Sequence, residues 1–145
     1  KAVAEVFNKA GEDCKKLNLK FGYHNHAYEF ESDNDLVLYD VLLDNTDPDL
    51  VHMEMDLGWV AYGGKDPLDY FERYPGRFPL WHLKDMSRKK KHSTEFGKGD
   101  LDIPAAMKNM KKSGVQHIFI EQEEYSNTPA KSMRYNLDYL SKLKL

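Results

Sequence analysis

The stretch "FPLWHLKD", Phe78 to Asp85, decides the fold. Five of its first six residues are apolar, and Pro75 and Gly76 punctuate the chain just before it. A short, nearly continuous apolar run predicts a strand buried on both faces, as in a parallel sheet covered by helices. The chemistry sits at its far end. His82 and Lys84 are two residues apart, so they share one face of an extended chain.

Working outward, the same unit recurs. Downstream come a long polar loop, "SRKKKHSTEFGKGD", and a helix, "IPAAMKNMKKSG", with Pro104 near its start and Gly114 at its end. A strand "VQHIFIEQEE" (115–124) follows, then a final helix over 128–145 with Leu137, Leu140 and Leu143 on its inner stripe. Upstream lie a helix opened by Pro67, the loop "YGGKDP", and a strand "LVHMEMDLGWV" (Leu50 to Val60). Before these stand the breaker "NTDPD", a helix over 36–44, the turn "ESDND" (31–35) and a strand "LKFGYHN" (19–25). Residues 2–17 carry Val3, Val6, Phe7, Ala10, Cys14 and Leu17 at helical spacing. The sum is about five helices alternating with four strands, an α/β pattern that implies a parallel sheet with right-handed crossovers. No strand is followed by a Gly-x-Gly-x-x-Gly or Walker-type loop, which leaves an open sheet or part of a (β/α)8 barrel. We read residues 1–145 as a single domain.

Composition narrows the function classes. The net charge of −3 argues against nucleic acid as a partner, and no apolar run approaches the ~18 residues of a membrane span. A lone cysteine, Cys14, excludes an internal disulfide and a thiolate cluster within one chain. No signal-like segment is present, so the expected location is cytoplasmic. The chain opens directly on a helical pattern without an initiator methionine, which predicts a piece of a longer protein.

Each strand ends on an imidazole or a carboxylate: His24, Asp56, His82 and Glu121. The intervals are 32, 26 and 39 residues. Their mean, about 32, matches the ~31 residues per unit of an eight-unit barrel of ~250 residues. In such folds that end of the sheet is where sites are built. Two imidazoles and two carboxylates converging from adjacent strands suit one divalent ion, Mn, Zn, Co or Mg. A single residue of this kind at a strand end is ordinarily a cap, but four in succession at barrel spacing predict a shared cation. His26 points with His24 and is a second-ligand or acid/base candidate, against a hydrogen-bonded wall residue. Lys84 is placed to hold a substrate oxygen or to form a salt bridge with Asp85 or Glu121. Trp59 offers a flat wall for a sugar face or a plain core residue. Asp85 is expected to orient an imidazole, Asn25 to face away from the site, and Glu29 and Glu31 to lie on the surface. His52, His92 and His117 are expected to be structural or exposed, and "SRKKKH" (Ser87 to His92) to be solvated.

At these residues the sequence resembles the xylose isomerase-like (β/α)8 barrel superfamily of sugar phosphate isomerases and epimerases. The matching pieces, in order, are "YHNHAYEF", "MDLGWVAYGGKDP", "YPGRFPLWHLKDM", "FGKGDLDIPA" and "IFIEQEEY". The resemblance implies the C-terminal half of such a barrel, its fifth to eighth strands, with one metal ion at the mouth. It assigns Asp56, His82 and Glu121 to the family's metal-ligand aspartate, histidine and last glutamate. His24 falls where the epimerases carry their first glutamate, and Trp59 where they carry a substrate-contacting histidine. Both are departures.

The expected activity is that of an isomerase or epimerase of a sugar or sugar phosphate. Glu121, His26 and Lys84 are the candidate catalytic residues, and Trp59, Lys84 and His26 the candidate substrate contacts. The rival activities are a keto-sugar lyase or dehydratase, a keto-glycoside-cleaving enzyme, and a non-catalytic carbohydrate- or metal-binding module. Half a barrel leaves two sheet edges bare, so a homo-oligomer is expected, with a dimer closing the barrel.

Overall fold

Pro67, Pro104 and Pro129 each stand at the first or second position of a helix, where the missing N–H had no partner to lose. Asp66 and Asp102 accept the backbone N–H groups of Leu68 and Ala105 just inside two of those helices, a standard N-cap. The computed structural model describes residues 1–34 and 36–144. Residue 35 of the expected turn and residue 145 of the expected last helix lie outside the described residues. In chain order the elements are α1 (Ala2–Lys16), β1 (Phe21–His24), a 3-10 turn (Tyr28–Phe30), β2 (Ser32–Asp33), β3 (Leu36–Val37), α2 (Leu38–Asn45), β4 (Val51–Asp56), α3 (Leu57–Tyr62), α4 (Pro67–Arg73), β5 (Leu80–Leu83), β6 (Asp85–Ser87), β7 (His92–Thr94), α5 (Ile103–Lys108), α6 (Met110–Ser113), β8 (His117–Ile120) and α7 (Pro129–Ser141).

The main sheet has four parallel strands in the order β1-β4-β5-β8. Two antiparallel ribbons, β2-β3 and β6-β7, stand beside it. Among the described residues, β1 and β8 each have one strand neighbour in the main sheet. This is the architecture of half a (β/α)8 barrel.

Alternation along the strands divides the sheet into a covered and an open face. Val51, Met53, Met55, Trp81 and Leu83 are fully buried beneath the helices. Trp81 stacks on Phe71 with ring centroids 5.1 Å apart, and Phe30, Tyr39 and Tyr70 form a second aromatic knot. Each such side chain contributes roughly 1.5–3 kcal/mol by leaving water. The opposite face carries Gly22, His24, His52, Glu54, Leu80, His82, His117 and Phe119 in register, and Phe119 is 49% exposed there. Apolar residues thus hold the sheet on its helices, and the open face is free for chemistry.

Several local expectations are corrected. The strand read over 50–60 stops at Asp56, because its carboxylate caps a helix that starts at Leu57. The polar loop after β5 contains the β6-β7 hairpin, with Ser93, Thr94, Glu95 and Phe96 buried. The helix read over 103–114 divides at Asn109. The helix read over 36–44 begins at Leu38, since Leu36 and Val37 pair with β2. Among the described residues these divisions, with the short α3, give seven helices where the sequence reads as about five. In α1 the buried residues are Ala4 and Gly11, whereas Val3 and Val6 are exposed; in α7 Leu137 is half exposed. Small residues let α1 approach the sheet closely, which a hydrophobicity pattern undervalues.

Candidate functional site

The ends of β1, β4 and β5 and the residue just beyond β8 bring four predicted side chains together. One donor atom from each of His24, Asp56, His82 and Glu121 lies within 4.8 Å of the other three. His24 Nε2 is 3.3 Å from Asp56 Oδ2, and the His24 and His82 rings are 4.2 Å apart. The register explains the convergence: His24 pairs with Glu54, and Asp56 with His82, so the four tips share one end of the sheet.

Asp56 is the most firmly held member. It is fully buried, and its Oδ1 accepts the Trp59 backbone N–H at 2.9 Å. Asn25, also fully buried, brackets its backbone by accepting from Asp56 N at 3.1 Å and donating to Asp56 O at 3.3 Å. Asn25 thus serves the backbone at the end of β4. Gly58 lets α3 start against the end of β5: a Cβ there would sit 2.4 Å from the Lys84 carbonyl oxygen. The hydrogen bond that Asp56 accepts from His24 raises the His24 pKa above its ordinary value, against the effect of burial.

His82 lies between two carboxylates. Its Nδ1 meets Glu121 Oε2, and its Nε2 is 2.9 Å from Glu54 Oε1. Glu54 was absent from the sequence-based candidates. The signal was present, since Glu54 is two residues before Asp56 and therefore on the same strand face.

Lys84 is fully buried, with Nζ 3.1 Å from Asp56, 3.3 Å from Glu121 and 2.8 Å from Glu123. Burial alone would lower its pKa; Asp56, Glu123 and Glu121 outweigh that and raise it. The ammonium also lies 4.9 Å from the Trp59 ring centroid. Of the two partners expected for a salt bridge, Lys84 takes Glu121 and not Asp85. His26 is exposed and stands beside the four-donor group, its ring 5.1 Å from His24 and 5.8 Å from Trp59.

Two further expectations fail. Asp85 orients no imidazole: its carboxylate accepts the backbone N–H groups of Gly97, Gly99 and Leu101, tying down the loop after the hairpin. Glu29 is buried, not exposed, and accepts from Tyr23 Oη and the His26 backbone N–H. His52 and His117 line the opposite end of the sheet, as expected.

Charge at this end is unbalanced. Glu54, beside His82, and Asp56, Glu121 and Glu123, beside Lys84, share that one ammonium among the described residues. Converging carboxylates repel unless a cation or proton joins them. Two ligand atoms on opposite sides of a cation with bonds of ~2.1 Å are about 4.2 Å apart, so donors spread over 4.8 Å need to contract only slightly. The residues fit a divalent ion with a mixed imidazole and carboxylate set.

Comparison with known proteins gives the family of this fold. A family model described as "Xylose isomerase-like TIM barrel" matches residues 1–143. An inosose dehydratase of Geobacillus kaustophilus is 35% identical over 85 residues, covering 59% of this chain and 27% of that protein. One from Clostridium perfringens is 27% identical over 152 aligned positions, covering 93% and 50%. The crystal structure of a sugar phosphate isomerase/epimerase from Parabacteroides distasonis superposes with a TM-score of 0.84 at 30% identity, covering 97% of this chain and 53% of that one. A D-tagatose 3-epimerase-like protein shares the fold at TM-score 0.64 and 14% identity, covering 93% and 52%. The chain thus spans about half the length of the relatives it matches along its whole extent. It belongs to the xylose isomerase-like TIM barrel family.

Proposed function

We propose that this chain carries the metal-binding wall of a sugar or sugar phosphate isomerase/epimerase, in which a proton is removed from the carbon beside a carbonyl. The observation that carries this reading is the convergence of His24, Asp56, His82 and Glu121 from four successive parallel strands. A divalent ion held by these four would polarise the substrate carbonyl and acidify the neighbouring C–H. Glu121 accepts that proton, with Lys84 holding its carboxylate in orientation at 3.3 Å. Lys84 reaches a substrate oxygen by exchanging its contact with the partly exposed Glu123. Trp59 and His26 supply the flat wall against which the substrate ring rests.

A specific observation favours a second reading, dehydration. The position expected to hold a second carboxylate holds His24, so Glu121 lacks the carboxylate counterpart that would return a proton from the opposite face. The relatives named inosose dehydratase point the same way. Both readings begin with the same proton abstraction. The test is incubation of the manganese-loaded chain with a keto sugar and with an inosose in D2O, followed by NMR. Deuterium entering a stereocentre without loss of water supports the epimerase, and loss of water the dehydratase. Manganese uptake with neither reaction refutes catalysis by this chain and leaves a binding module.

A further inference from the structure

We infer that Glu54 is a positioning residue, which fixes His82 so that Nδ1, and not Nε2, presents its lone pair to the four-donor group. This rests on the metal-site reading above. A neutral imidazole has one N–H and one lone pair, and a histidine that binds a cation through one nitrogen must carry its proton on the other. Glu54 Oε1 lies 2.9 Å from His82 Nε2 and is placed to accept a proton carried there, while Nδ1 faces Glu121 and the four-donor group. The ring plane is bounded by His24, with its centroid 4.2 Å away, and by Phe119 at 5.8 Å. Turning the ring over would put the carbons Cδ2 and Cε1 where Nδ1 and Nε2 now stand, and neither flanking ring hydrogen-bonds His82 to resist it. Glu54 does.

Its carboxylate also has a fixed origin. Glu54 lies on β4 one same-face step before Asp56, so one rigid strand sets both the candidate ligand Asp56 and the group that aims its neighbour. Partners of this kind, once removed, typically cost 10- to 100-fold in metal affinity.

The test compares the unsubstituted chain, Glu54→Leu and Glu54→Gln, titrated with Mn²⁺ by calorimetry. Each is also loaded with Zn²⁺ for ¹⁵N NMR of the His82 ring. Glu54→Leu is expected to lose about 10- to 100-fold in Mn²⁺ affinity and to lose the single protonated Nε2 signal. Glu54→Gln, which keeps an acceptor oxygen but no charge, is expected to recover most of both. Unchanged affinity and ring signals in Glu54→Leu overturn the inference. So does equal weakening in both variants, which would mean that charge and not the hydrogen bond matters. If the unsubstituted chain takes up no Mn²⁺, the metal-site reading itself fails and takes this inference with it, an outcome separate from the other two.

Discussion

Replacing Lys84 by methionine keeps the bulk of the side chain and deletes its charge. Of the three carboxylates around Nζ, Asp56 is fully buried, whereas the side chains of Glu121 and Glu123 are 30% and 44% exposed. Breaking a buried pair from one side costs about 3–5 kcal/mol, because the remaining charge stays desolvated. The two partly exposed pairs add only ~0–1 kcal/mol each. The expected loss in the metal-free protein is therefore about 3–5 kcal/mol, dominated by Asp56. Lys84 titrates above its ordinary value when folded, so its contribution is complete below the unfolded pKa and is lost only as pH rises through the higher folded one. The deficit is then flat across roughly pH 6 to 9. Urea unfolding followed by tryptophan fluorescence, with and without Mn²⁺, measures it. Saturation at 100 times the dissociation constant adds about 2.7 kcal/mol to any binder. At the same free Mn²⁺ concentration Lys84→Met should gain more than the parent, since the ion becomes the sole cation among the carboxylates and is bound more tightly. A loss below about 1 kcal/mol at unchanged m-value, or equal gains from Mn²⁺, would refute the charge-balance reasoning.

Other outcomes follow from separate features. Burial would raise the Glu95 pKa, but hydrogen bonds from Ser126 and Ser132 outweigh it and bring the group to about 2. Its stabilisation is complete above the unfolded value near 4.5 and is lost as pH falls toward 2, about 3 kcal/mol in all. Urea midpoints in Ser132→Ala should show a smaller acid loss than the parent. Gly58→Ala would force a Cβ to 2.4 Å from the Lys84 carbonyl and should destabilise by about 2–3 kcal/mol, read from the same unfolding curves. Light scattering should report twice the 16.9 kDa chain mass, as a second copy covers the edges of β1 and β8; a 16.9 kDa particle would contradict this.

The parallel sheet and the convergence of the four candidate ligands were legible from one feature of the strands. "FPLW" and "HIFI" are apolar up to His82 and Glu121, which therefore stand out at the ends of their strands, although the folded strands bury one face and not the two expected. What remained hidden depended on contacts across the chain. Asp85 looks like any acidic residue beside a lysine, and only the folded loop shows three backbone N–H groups aimed at it. Glu29 reads as a surface residue until Tyr23 and the His26 amide close on it. The β6-β7 hairpin was masked by "SRKKK", a charged tip that conceals the buried "STEF" behind it. Glu54 was readable as the residue two before Asp56 on the same strand face, but nothing in the sequence marks it as the partner of His82 on β5.

Asp56 divides its two oxygens between a helix and the cluster. Oδ1 takes the Trp59 amide, while Oδ2 faces His24 and Lys84. Any cation drawing charge toward Oδ2 weakens what Oδ1 offers to that amide. The Trp59 N–H is therefore an internal gauge of occupancy, readable as a chemical-shift change without dye, label or turnover.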